Sequence, residues 1–308
     1  MKVKAISLVW LAKADLSNLN SGQGSGNLTE LKTYDRGRKP YVSGQSVRTA
    51  LFNTMAREHP EEFICTAELP CTDVEKCWGC DLRGFLAPKQ DVGGERRWSP
   101  LKVTPALGQV ASDVVTDLLT RHSVREKEDR ASQDQRIAHV QMMANIYRLG
   151  MVIDVDNIGR ILTPELKGTG QKQEFTGWKT AVNINPEQRR QRIAAVLDGI
   201  FNLSGFAKQA RAAASLAPEI VLIAIQPTYS QRGLRALELD DAGAVKTELL
   251  ASILGEHQAV GNTLLFGYTP DVVTNDNELL ATVTAAELKP MTVYEAFKCT
   301  HELLKTPN

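Results

Sequence analysis

The sequence predicts an α+β fold, a modified ferredoxin-like core interrupted by long insertions. Three observations lead there. Apolar runs mark buried strands at residues 2–13 and 219–226, and two amphipathic stretches mark helices. The elements also follow one another as strand, helix, strands, helix, strand. At 308 residues, 43% hydrophobic and 23% charged, the chain is long enough for a full core and ordinary for a globular protein. We read residues 1–308 as one elaborated domain with two insertions, at 60–105 and 117–141.

The first strand carries apolar residues on both alternating faces, Ala5, Val9 and Leu11 on one and Ile6, Leu8 and Trp10 on the other, so it belongs inside a sheet. A Gly/Ser/Asn loop follows at 18–27. The first helix starts near Ser43–Gly44, where Val47, Ala50, Leu51 and Met55 build one stripe. Residues 117–141 are the most polar stretch and suit a projecting arm. MMANIYRLGMVIDVDNIGRIL reads as one or two strands. The second helix has Asn185 to cap it, Pro186 in its first turn, and Ile193, Leu197, Ile200 and Phe201 on its buried face. EIVLIAIQ is a continuous apolar strand, and a last helix runs from about Thr292 to Leu304 with Cys299 on its apolar face. No apolar run reaches the roughly 18–20 residues needed to span a bilayer. The start, broken by Lys4 and Lys13, lacks a cleavage signal, so a cytoplasmic protein without a membrane partner is expected.

Four of the five cysteines lie in CTAELPCTDVEKCWGC, spaced Cys65-x5-Cys71-x5-Cys77-x2-Cys80. A Cys-x2-Cys pair forms the tight knuckle of a tetrahedral zinc site, and the two longer gaps are flexible enough to bring Cys65 and Cys71 round. We expect a structural Zn²⁺; the competing readings are unligated cysteines or two disulfides, which a reducing cytoplasm disfavours. A catalytic metal fits poorly, because four thiolates leave no open position. His59 reads as a helix-end residue and not as a ligand.

Net charge is zero but unevenly spread. Residues 1–48 hold eight Lys/Arg against three acids, and residues 236–308 hold four Lys against eleven acids. Such polarity suits a basic groove with an acidic back, or head-to-tail self-association. Two basic motifs stand out. Gly44-Gln45-Ser46-Val47-Arg48 offers helix-start amides, hydroxyls and a guanidinium to an anion, with Arg36, Arg38 and Lys39 just before it. Gly205-Phe206-Ala207-Lys208-Gln209-Ala210-Arg211 puts two cations on one face if helical, with Phe206 as a base-stacking candidate or a core residue.

TYDRGRKPYVSGQSVRTALFNTM, ANIYRLGMVIDVDNIGR and NLSGFAKQARAAASLAPEIVLIAI together resemble the DevR-type backbone subunit of type I CRISPR (Cascade) effector complexes, within the RAMP superfamily. The blocks come in the family's order. The resemblance implies a modified RRM fold with palm, finger and thumb, which polymerises head to tail along CRISPR RNA (crRNA) and does not itself cut nucleic acid. It implies guide-RNA contacts by Ser43, Gln45, Ser46, Arg48, Lys208 and Arg211, beside which Arg38 and Phe206 stand as RNA-binding candidates from the motifs themselves. By position it makes 117–141 the thumb, and it puts the cysteine segment of 60–105, which the family does not require, where a zinc-binding finger would lie, from which Trp78, Arg96 and Arg97 would meet guide or target strand. The implied partners are crRNA, target DNA paired to the guide, further copies of the chain, other Cascade subunits, and a recruited nuclease or transposition protein. The alternatives are a type III-like subunit that cuts RNA with a loop acid, Glu30 or Asp35, and metal, or a stand-alone single-stranded RNA-binding protein.

Overall fold

The structure is a computed structural model that describes residues 3–20, 28–87, 95–124, 133–168, 174–206 and 212–305. In chain order, β1 (Ala5–Ser17) is followed by three short strands, β2 (Leu28–Thr29), β3 (Thr33–Tyr34) and β4 (Lys39–Val42), and then by α1 (Gly44–Glu58). A hairpin of β5 (Phe85–Ala87) and β6 (Glu95–Arg97) precedes β7 (Leu101–Val103) and β8 (Ala106–Gly108). Next come β9 (Val115–Val124), the long β10 (Gln133–Asp154), β11 (Arg160–Lys167), β12 (Glu174–Asn183) and α2 (Pro186–Phe201). The C-terminal part is β13 (Ile220–Gln226), α3 (Thr247–Ala259), β14 (Thr263–Tyr268), α4 (Asp276–Ala285), β15 (Pro290–Met291) and α5 (Val293–Lys305).

The expected core is present. β1 lies between β10 and β13 and is antiparallel to both, with Leu8 opposite Met151 on one side and Ile223 on the other. β7 and β8 pair antiparallel with the far edge of β10. Strands β13, β1, β10 and β7/β8 thus stand in the order of a ferredoxin-like sheet. The second core strand begins inside the 60–105 segment expected to be an insertion. It is broken into two three-residue pieces by Thr104 and Pro105, and proline cannot donate to the ladder. Leu101–Val103, at the end of the 60–105 segment, is therefore part of the sheet.

The two-sided apolar pattern of β1 is used on both faces. Ile6, Leu8, Trp10 and Ala12 join α1, α2 and α5 in one core, which includes Val47, Leu51, Met55, Val196, Leu197 and Phe297. Val9 and Leu11 join Leu222, Leu250, Leu254, Leu279 and Val283 in a second core under α3 and α4. Both helix starts fall where the sequence puts them, and Asn185 is the cap expected on α2. Ser43 caps α1 by accepting from the Ser46 amide, and Asn185 with Gln188 forms a capping box on α2. Phe201 is only half-buried and packs edge-on against Phe297 and Tyr294. Cys299 is likewise half-buried and not a core residue.

Two hairpins leave the sheet. β9 pairs with the first half of β10 from Val115 opposite Met142 to Val124 opposite Gln133, so the polar arm falls on an antiparallel ribbon. β11 and β12 form a separate two-stranded sheet, so Ile161 and Leu162 are not a continuation of the core strand before them. Among the described residues no helix is long and apolar enough to cross a membrane.

Candidate metal centre and nucleic-acid interface

The cysteine segment leaves α1 at His59, turns over Pro60–Glu62, and closes on a helical turn at Gly79–Arg83. Cys80 lies in that turn and Cys77 two residues before it, and the Cys80 amide points at the Cys77 sulfur, 3.4 Å away. The four Sγ atoms lie within 4.8 Å of one another, with Cys65 3.5 Å from Cys77 and 3.4 Å from Cys80, and Cys71 3.6 Å from Cys80. A tetrahedron with Zn–S bonds of about 2.3 Å has edges of roughly 3.8 Å, so the spacing fits four thiolates on one ion. A disulfide bond is about 2.05 Å long, far shorter than these separations, and all five cysteines are free. Cys77 and Cys80 are buried, Cys65 is half-buried and Cys71 is exposed.

Crowding polarises the thiols. Burial pushes the Cys80 and Cys65 thiols up, and neighbouring thiols push Cys80 further. Burial also works to raise Cys77, but the Cys80 amide and the surrounding sulfurs outweigh it and hold Cys77 low. A divalent cation is the natural remedy for several soft donors held this close.

The loop is fastened to the core by a buried charge network that sequence reading missed. Asp81 is fully buried. Its Oδ2 accepts from Arg192 Nη1 of α2 at 2.5 Å, its Oδ1 accepts from Arg97 Nη2, and the Gly159 amide donates to both oxygens at 3.0 and 2.9 Å. Arg192 also donates to the carbonyls of Val74 (2.8 Å) and Glu75 (2.5 Å) inside the loop. Arg97 reaches the carbonyls of Asp81, Asn157 and Arg160. Arg97 is thereby removed from the nucleic-acid face expected for it: its side chain is 7% exposed and fixed by structure. Trp78 needs the same correction. It is 7% exposed and packs against His59 and Phe63, because the closed loop folds it inward.

At the start of α1, Ser43 Oγ is occupied as the cap, and Ser46 Oγ donates to Asn20 Oδ1 at 3.2 Å. Gln45 is exposed and the first turn carries no acid, which leaves the positive helix end uncompensated. Arg48 is half-buried and donates to the Arg83 carbonyl at 2.7 Å, so it ties α1 to the Gly79–Arg83 turn. Burial and the nearby Arg83 lower its pKa. Arg38 is exposed and paired with Asp35 at 2.8 Å, in a turn where Asp35 and Arg36 both have positive φ. Lys39 meets Asp241 at 2.6 Å, so basic front and acidic C-terminal part touch within one chain. Glu30 is half-buried.

Phe206 is corrected as well: it is buried in the first core, which excludes base stacking. Lys208 and Arg211 lie outside the described residues. The exposed aromatic side chains lie elsewhere. Trp98 is 70% exposed beside Arg96, and Phe175 and Trp178 form an edge-to-face pair on β12. An aromatic in an otherwise polar strand was the available signal for Phe175 and Trp178, whereas Trp98 lies one residue past the end of β6.

A ferredoxin-like palm with a cysteine-clipped insertion and two protruding hairpins has the fold of subunits found in CRISPR RNA-guided complexes. A chain of a "CRISPR RNA-guided surveillance complex" matches with TM-score 0.56 and 16% identity, over 97% of this chain and 99% of that one. A chain of a "CRISPR RNA-guided surveillance complex, pre-nicking" matches with TM-score 0.60 and 11% identity, over 97% and 100%. Both likenesses concern the fold. The sequence model described as "CRISPR-associated negative auto-regulator DevR/Csa2" matches residues 66–231, more than half of the chain. The protein belongs to the DevR/Csa2 family of CRISPR-associated proteins. No curated protein matches it.

Proposed function

We propose that the chain is a non-catalytic backbone subunit of a type I CRISPR surveillance complex. Copies line up head to tail along crRNA, hold its phosphates, and present the guide for pairing with target DNA. The observation that carries this reading is the family match across residues 66–231, which takes in Cys71, Cys77 and Cys80, the β9–β10 hairpin, α2 and β13. Phosphate contacts come from the start of α1, through the exposed Gln45 and the half-buried Ser43, Ser46 and Arg48, from Arg38, and from Lys208 and Arg211. They neutralise the backbone without reading bases, as holding any guide requires. Sequence is read by base pairing. The β9–β10 hairpin serves as the thumb, and Cys65, Cys71, Cys77 and Cys80 hold one structural Zn²⁺ that shapes the finger. A closed four-thiolate site supplies shape and no chemistry. Among the available loop acids, Asp35 is occupied by Arg38, which argues against a role as a metal-binding cleavage residue.

The test is to co-express the chain with a CRISPR transcript and other effector subunits, purify the assembly and sequence the bound RNA. The reading expects processed crRNA and several copies of the chain per complex. Recovery of the chain free of RNA under these conditions contradicts it.

A further inference from the structure

A groove of about 380 Å³ runs between the β5–β6 hairpin and the base of β11. Its lining includes Arg96, Trp98, Lys102, Arg160 and Leu162. We propose that this groove is a stacking site for one unpaired nucleobase of a single-stranded nucleic acid, with Trp98 as the platform and Arg160 and Lys102 beside it for the phosphate. The inference rests on the nucleic-acid role proposed above and adds a mode and a place of binding.

Three observations carry it. First, strand alternation separates the residues of this short run. Arg97 turns inward to the Asp81 network, so Arg96 and Trp98, two residues apart, share the outer face. The tie that fixes the cysteine loop therefore also fixes the platform. Second, Trp98 is held for stacking and not for packing. It is 70% exposed, and the Arg96 guanidinium lies 4.3 Å from its ring centroid. A guanidinium over an indole makes a rigid, positively charged plate, the arrangement that single-strand binders use because every base has a π-face. Third, the surroundings suit an anion attached to an apolar disc. Leu162 supplies an apolar wall, and the lining sets three cations, Arg96, Lys102 and Arg160, against two carboxylates, Glu95 and Asp154, a net positive balance. The volume is at the low end of ligand-sized cavities, which matches one nucleotide better than a peptide side chain array.

The base could come from the guide RNA or from a DNA strand, and the experiment separates them. In a Trp178→Phe background Trp98 is the exposed indole reporter, since Trp10 and Trp78 are buried. Fluorescence of the full chain is titrated with oligo(U) RNA and oligo(dT) DNA, while anisotropy of labelled strands reports binding itself. Stacking predicts quenching of Trp98 on binding, and roughly 10-fold weaker affinity for Trp98→Ala, within the range of one base–aromatic stack. Trp98→Phe retains most of the affinity. Quenching by RNA alone assigns the site to the guide, and quenching by DNA alone assigns it to a DNA strand; both support the proposal. RNA bound with Trp98 emission unchanged and Trp98→Ala binding like the parent overturns the stacking site and leaves the backbone role standing. No binding of either strand overturns both.

Discussion

Replacing Asp81 with Asn removes one buried charge and leaves two guanidinium groups facing each other across the gap. The side chains of Arg97 and Arg192 are 7% and 2% exposed, so neither turns to water. Removing one partner of a buried ion pair costs about 3–5 kcal/mol. Both arginines keep carbonyl partners from the loop and from the Asn157–Arg160 segment, which argues for the middle of that range, about 4 kcal/mol. With an unfolding entropy of about 2.1 cal/mol/K per residue, a chain of 308 residues loses roughly 6 °C in Tm for that change. Thermal unfolding followed by near-UV circular dichroism at pH 7 reads it, with the exposed Glu68→Gln as the control. The same variant loosens the loop from α2, so zinc loaded on the proposed four-cysteine site is expected to exchange faster from it than from the parent. A Tm within a degree of the Glu68→Gln control would show that Asp81 does not hold the loop, and the account of how the finger is fixed would fail.

Metal content is checked by elemental analysis: about one zinc per chain is expected, released by a strong chelator or by Cys77→Ser, with a fall in Tm of several degrees. Cysteines that carry no metal in chain purified with zinc present would refute the clip. Arg48→Ala weakens RNA binding for all sequences alike and reduces the slope of log affinity against log salt by roughly 0.7. An unchanged slope would assign Arg48 wholly to its bond with the Arg83 carbonyl. His257 is buried, 2.6 Å from the Asn262 amide, and burial holds its imidazole below the usual value against the opposing pull of Glu256. The unfolded chain then binds the proton more readily, so the stability His257 contributes is complete above about pH 6.5 and is lost as pH falls below it. His257→Gln flattens that fall, and identical pH profiles for variant and parent would exclude His257 as its source.

Where the fold was legible in sequence, a local period or cap carried the signal. Ser43, Asn185 and Pro186 marked helix starts, and the alternation of β1 foretold a sheet with apolar residues on both faces. The second core strand was invisible because β7 and β8 are three residues each, and a proline stands between them. The Cys-x2-Cys knuckle gave away the cluster, but not its anchor. Asp81 meets Arg192 across 111 residues of chain, a distance over which no spacing rule acts. The two tryptophans show the same limit. Trp78 lies within the cysteine loop and is folded against Phe63, whereas Trp98 lies two residues beyond Arg96 on an outer face. Both are aromatic residues in a polar segment; the closed cysteine loop folds Trp78 inward, and the inward turn of Arg97 leaves Trp98 on the outer face.

In the function proposed above, copies of this chain assemble in order along RNA. Sedimentation velocity of the purified chain with unstructured RNAs of increasing length tests it most directly. The account predicts complexes whose protein-to-RNA ratio rises in steps with RNA length, up to a filled strand. A single chain per RNA at every length, with no larger species at saturating protein, would contradict it.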